Sequence, residues 1–84
     1  MPTILYIYGW RLFFYSNEIN EPIHIHVQKG DMQGKFWLMI DEIEIIEAFC
    51  YNFTPASKRE IKKIIYKNFD IIVDAWFNHF IKYK

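Results

Sequence analysis

Cysteine is nearly absent from this chain. Its one thiol, Cys50, cannot close an internal disulfide, which excludes the stapled scaffolds of small secreted domains. Glycine and proline are scarce, three of each, and they do not cluster into a flexible or extended linker. No segment repeats. No apolar run reaches the ~20 residues of a membrane span. The opening Met1-Pro2-Thr3-Ile4-Leu5 lacks a charged start, an apolar stretch and a cleavage site, so a cytoplasmic protein is expected. Charge of one sign is also missing. Ten basic and ten acidic side chains cancel, which argues against a general polyanion binder and removes long-range repulsion between copies. There is no serine-nucleophile motif, no glycine-rich phosphate loop and no CxxC pair.

What the chain has in excess is aromatic and apolar surface. Its 84 residues allow one domain, spanning 1–84. Apolar residues are 52% of the chain and aromatics 20%, well beyond a disordered composition. A domain of this size buries roughly 60–65% of its unfolded surface. Eight Phe, six Tyr and three Trp therefore cannot all be inside, and some must form a patch for a partner or ligand.

The first fifty residues are β-rich. Thr3 to Tyr8 is β-branched and aromatic, Gly9-Trp10 is a tight connection, and Arg11 to Ser16 returns as a second strand. Ser16 to Pro22 is a polar loop. Ile23-His24-Ile25-His26-Val27 then alternates strictly, with Ile23, Ile25 and Val27 on one face and His24 and His26 on the other. After the Lys29-Gly30-Asp31 turn, Lys35 to Ile40 reads as a fourth strand and Glu44 to Phe49 as a short fifth. Thr54-Pro55 is an N-cap followed by proline in the first turn, and Ser57 with Glu60 forms a competing capping box. Ile61, Ile65, Phe69, Ile72, Trp76, Phe80 and Tyr83 recur on one helical face. That phase predicts a single helix over about 55–83, about 40 Å long. The expected fold is α+β: a small antiparallel sheet of four or five strands with one long C-terminal helix packed on one face. The helix outruns so small a sheet, so its end around Trp76 and Phe80 is a candidate dimer or partner surface.

Several segments together resemble a known family. Phe13-Phe14-Tyr15-Ser16-Asn17-Glu18, Asn20-Glu21-Pro22, His24-Ile25-His26-Val27, Lys29-Gly30-Asp31 and Lys35-Phe36-Trp37-Leu38 resemble the family described as domain of unknown function number 4160. The opening Met1 to Ile4 and the closing Ala75-Trp76 are similar too. One departure is Ile23, where the family usually has a second proline; another is Ile19, where small or polar residues are commoner. The resemblance implies a small prokaryotic protein, often encoded beside another small protein in an arrangement like a toxin–antitoxin pair.

The residues that could carry chemistry begin with His24 and His26. Alternate residues on one strand face lie roughly 6.5–7 Å apart, close enough for two imidazoles to share a divalent metal. A third ligand would come from Glu18, Glu21, Asp31 or His79. The same pair could hydrogen-bond the acidic turn, bind a phosphate when protonated, or simply support the fold. Glu18 or Glu21 could act as a general base beside them. Cys50, alone in an apolar strand, reads as a small core residue rather than a nucleophile. Lys58, Arg59, Lys62, Lys63 and Lys67 make a basic helix stripe, which is either a solvated face or a contact for nucleic-acid phosphates. Trp10, Tyr15 and Trp37 lie on or beside strands. Trp37 faces away from Phe36 and Leu38, and a Trp beside two His would line a ligand pocket if strand register permits.

Two function classes follow. The favoured one is a protein-interaction component of a two-gene, toxin–antitoxin-like system, binding a small partner protein or a second copy through Trp10, Tyr15, Trp37, Lys58, Lys62, Trp76 or Phe80. The alternative is a small metal- or histidine-dependent hydrolase or nuclease using His24 and His26. Nucleic-acid contact through the basic stripe is a third, less favoured class. A membrane partner and a cofactor other than a divalent metal are not expected.

Overall fold

A computed structural model describes residues 3–15 and 20–80, the side chain of Phe80 excepted. Five strands, β1 (Thr3–Ile7), β2 (Trp10–Phe13), β3 (His24–Lys29), β4 (Met32–Met39) and β5 (Glu44–Tyr51), precede two helices, α1 (Pro55–Lys67) and α2 (Phe69–Phe80). The strands form one antiparallel sheet in the order β1-β2-β3-β4-β5. Each strand thus pairs with its sequence neighbour, as short connections favour.

Two-residue turns set the register. Tyr8 and Gly9 both have positive φ, 50° and 82°, the backbone of a hairpin turn that matches strand twist. A Cβ at Gly9 would also meet the Lys29 stem at 3.1 Å. Gly30 (φ 59°) and Asp31 turn β3 into β4, which starts at Met32 rather than at the expected Lys35. β2 ends at Phe13, short of the expected Ser16, which lies outside the described residues. β5 runs two residues beyond the expected Phe49. Opposite Lys35 and Phe36 it carries an extra residue, Ala48, a bulge that sends Glu47 and Phe49 to opposite faces.

Alternation sorts the sheet into two faces. Leu12, Ile25, Val27, Phe36 and Leu38 join Trp10 on the face that packs against Ile61, Ile64 and Ile65 of α1 and Phe69, Ile72 and Trp76 of α2. Each such side chain contributes about 1.5–3 kcal/mol when fully buried. The other face carries Arg11, Phe13, His24, His26, Gln28, Lys35 and Trp37, as the cross-strand partners dictate.

The single long helix expected from periodicity is instead two helices. Thr54 caps α1: its Oγ1 accepts from the Ser57 N–H at 3.0 Å, and Ser57 Oγ accepts from the Thr54 N–H at 2.8 Å. The capping box therefore sits at Thr54/Ser57, not at Ser57/Glu60. Asn68 ends the helix. Its Nδ2 donates to Ile64 O at 2.9 Å, competing with the backbone ladder, while its own carbonyl accepts the Ile72 N–H at 3.0 Å to begin the next helix. The break keeps both apolar stripes over a body whose longest extent is 39 Å. No helix among the described residues is long and apolar enough to cross a membrane.

Candidate functional site

The register answers the question the sequence left open: Trp37 lies on the histidine face. It stands directly opposite His24, with Lys35 opposite His26 on one side and Phe13 opposite His26 on the other. The two imidazoles have centroids 5.2 Å apart at 87°. His24 meets Trp37 edge-on at 5.4 Å and Trp76 of α2 at 5.0 Å. His26 stacks on Phe13 at 5.5 Å and meets Tyr15 at 4.6 Å. Tyr15, half-open at the rim, closes the ring on Phe13 at 5.4 Å.

This aromatic collar buries polar groups. His24 is fully buried and His26 nearly so. The Nδ1 of His24 lies 2.8 Å from the carbonyl of Pro22. A carbonyl only accepts, so Nδ1 carries the proton and the ring orientation is fixed. The acidic-turn strand unit thus has a physical basis: the turn supplies the acceptor that holds the first histidine. Ile23, between them, accepts the Leu38 N–H at 3.0 Å through its own carbonyl, tying the turn to β4.

The proposed helpers of the histidines sit elsewhere or are engaged. Glu21 accepts from Lys35 Nζ at 2.6 Å, and that ammonium lies 4.3 Å above the Trp37 ring. Asp31 is at the far hairpin, where its carbonyl accepts from Asn52 Nδ2. His79 packs toward Phe14 at 6.4 Å, itself edge-on to Trp76. Glu18 lies outside the described residues. Among the described residues no group of three His, Cys, Asp or Glu could hold a metal ion. Cys50 is on the helix-side face, opposite Gly34. Desolvation, then the neighbouring Glu47, pushes its thiol up to about 11, so it is protonated and unreactive at neutral pH.

Of the residues expected on a binding surface, Trp10 and Trp76 are in the core. Trp10 donates Nε1–H to Glu60 at 2.6 Å, and that bond holds the Glu60 carboxyl below its ordinary value. The side chain of Phe80 lies outside the described residues, as does Tyr83. Trp37 and Tyr15 do border the outer face. The basic stripe divides in two: Lys58 pairs with Glu47 of β5 at 3.3 Å, whereas Arg59, Lys63 and Lys67 face the β1–β2 turn across a groove.

Sequence reasoning missed an open apolar row on the outer face. Ile46 and Tyr51 on β5 are 47% and 62% exposed, with Phe49 and Met39 beside them. The signal was present in Glu44 to Tyr51, where apolar residues occupy both parities of an edge strand instead of alternating with polar ones. Between this patch and His26 lies a shallow recess of about 220 Å³, lined by Arg11, Phe13, Gln28, Gln33 and Phe49.

No curated protein and no solved structure matches the chain. A family model described as a domain of unknown function (DUF4160) matches residues 9–77, from the first hairpin turn into α2. The matched span covers most of the chain and contains the whole histidine collar, so the chain belongs to that family of domains of unknown function.

Proposed function

We propose that the protein is an interaction module, one component of a two-gene, toxin–antitoxin-like pair, and that it holds a small partner protein on the β5 edge and the adjoining outer face. The observation that carries this reading is the exposure of Ile46, Phe49 and Tyr51 along an edge strand of eight residues. Edge strands are usually blunted by lysine, proline or an inward charge. β5 carries neither lysine nor proline. Its protection is the Ala48 bulge, Glu47 turned inward to Lys58, and the Ile45 N–H bonded to Tyr66 Oη, and these leave the outward row of Ile46, Phe49 and Tyr51 open. A partner strand added here would gain main-chain hydrogen bonds along β5 and set alternate side chains against the apolar row. The two-gene setting rests on the family resemblance.

The test is co-expression with the product of the adjoining small gene, followed by size-exclusion chromatography. A stoichiometric complex that is lost in Ile46→Lys and Phe49→Lys, with both variants keeping the parent's circular dichroism and unfolding midpoint, is the expected outcome. A protein that stays monomeric and captures no neighbouring gene product, or a complex indifferent to both substitutions, removes the proposal. Self-association through the same edge would make a second copy the occupant.

A second reading keeps His24 and His26 as a metal-dependent or hydrolytic pair. It is favoured by the Nδ1–H···O=C bond at His24, the arrangement that orients many metal-binding histidines. Metal analysis of the purified protein and nuclease assays on His26→Ala decide it. Stoichiometric metal lost in that variant would replace the interaction reading with an enzymatic one.

A further inference from the structure

The first hairpin turn contains an anomaly that the interaction surface does not use. Both turn residues need left-handed backbone, and the residues that adopt it readily are Asn, Asp and Gly. Gly9 fits; Tyr8 does not, yet it holds φ 50° and leaves 73% of itself in solvent. A bulky side chain kept in an unfavourable conformation, without burial to offset it, points to a role outside folding.

Tyr8 forms one wall of a groove of about 560 Å³. The opposite wall is α1, which presents Arg59, Lys63 and Lys67. These are one turn apart, about 6 Å per step of four residues. Among the described residues none of the three has a carboxylate within ion-pairing distance. Glu60, the carboxylate on that wall, is already held by Trp10 Nε1–H at 2.6 Å and by Lys29 at 3.4 Å. The groove is therefore cationic although the whole chain is neutral.

We propose that this groove binds single-stranded nucleic acid, with phosphates along Arg59, Lys63 and Lys67 and a base stacked on Tyr8. A cationic track beside an exposed ring is the arrangement by which single strands are held without sequence readout. An acidic peptide would engage the cations and leave the strained tyrosine without a purpose. A duplex is too wide for a groove of this volume and hides its base faces.

The experiment is fluorescence anisotropy of labelled eight-nucleotide oligo(U) and oligo(dT), with octaglutamate as the peptide probe, at several salt concentrations. Saturable oligonucleotide binding at low salt is expected, with log K falling against log salt at a slope of about −2, since three single-strand phosphate contacts contribute about 0.7 each. Tyr8→Asn suits the turn, so it should keep or raise the unfolding midpoint while weakening binding about tenfold. Lys63→Gln should reduce the slope by about 0.7, and Lys62→Gln, on the neighbouring helix line, should reduce it less. Preference between the two oligonucleotides identifies RNA or DNA as the natural strand. No saturable binding of either, full affinity in Tyr8→Asn, tighter binding of octaglutamate, or equal effects of the two lysine substitutions would each overturn the proposal.

Discussion

The two ends of the outer sheet face invert the usual relation between polarity and burial. At the His24 end, imidazoles are sealed from water by Trp37, Trp76, Phe13 and Tyr15. At the β5 end, isoleucine, phenylalanine and tyrosine stand in it. A buried polar group is tolerated when its partners are specified, and His24 has Pro22 O for its Nδ1–H. An exposed apolar row has no such compensation inside the chain, and it is where association gains most. The residues most conspicuous in the sequence are packed inside the collar, while the exposed row on β5 is made of plain apolar ones.

The largest effect should come from breaking the sealed end. His24→Ala opens a cavity among three aromatic rings and removes the donor to Pro22 O. The expected loss is about 2–4 kcal/mol, a large share of a small domain's stability, read as a lower urea midpoint. If the variant unfolds at the parent's midpoint, the collar is not structural and the histidines regain a claim to chemistry. The next effect belongs to the open end. A Cβ at Gly34 would stand 3.1 Å from Phe49 O and 3.2 Å from Phe53 Cζ, so Gly34→Ala must shift the β5 backbone at Phe49 and the Phe53 ring by a few tenths of an ångström. A loss of about 1–3 kcal/mol is expected. It should be accompanied by faster amide exchange in β5 than in β3. Uniform exchange across the sheet would show that β5 is not a separable edge.

How far the sequence disclosed these two ends follows from the range of the forces. Strict alternation in Ile23 to Val27 placed both histidines on one face without any other information, because side-chain direction along a strand is local. Whether Trp37 joined them depended on pairing between β3 and β4, which alternation alone does not set. The helix periodicity was similarly local. It carried through Phe69, Ile72 and Trp76 and so hid the break at Asn68, whose side-chain Nδ2 joins its own backbone N–H on the Ile64 carbonyl without disturbing the apolar phase. Composition required some aromatics to be exposed but did not say which. The tryptophans, the largest, went inside or to half-buried positions, and Tyr6, Tyr8 and Tyr51 took the surface. The candidate metal pair was legible as a pair, whereas the aromatic collar that encloses it is built from β2, β3, β4 and α2 and had no sequence signature.

The smallest effect sharpens the contrast across β5 itself. Phe49 and Tyr51 face outward, and Cys50 between them faces Gly34 and the helices. Burial first, and then Glu47, raises its thiol to about 11 from 9.0. Because the folded state holds that proton more tightly, this group's contribution to stability is full below about pH 9 and is lost progressively as the pH rises toward 11. Alkylation by iodoacetamide proceeds through the thiolate. Its rate on the native protein should therefore climb about tenfold per pH unit past pH 9 and level off only near 11, with little change in the fold below pH 9. A plateau at the value of an ordinary cysteine would mean that β5 opens on its helix side as well, and the apolar row on its outer side would then be one face of a detached strand rather than a prepared docking edge.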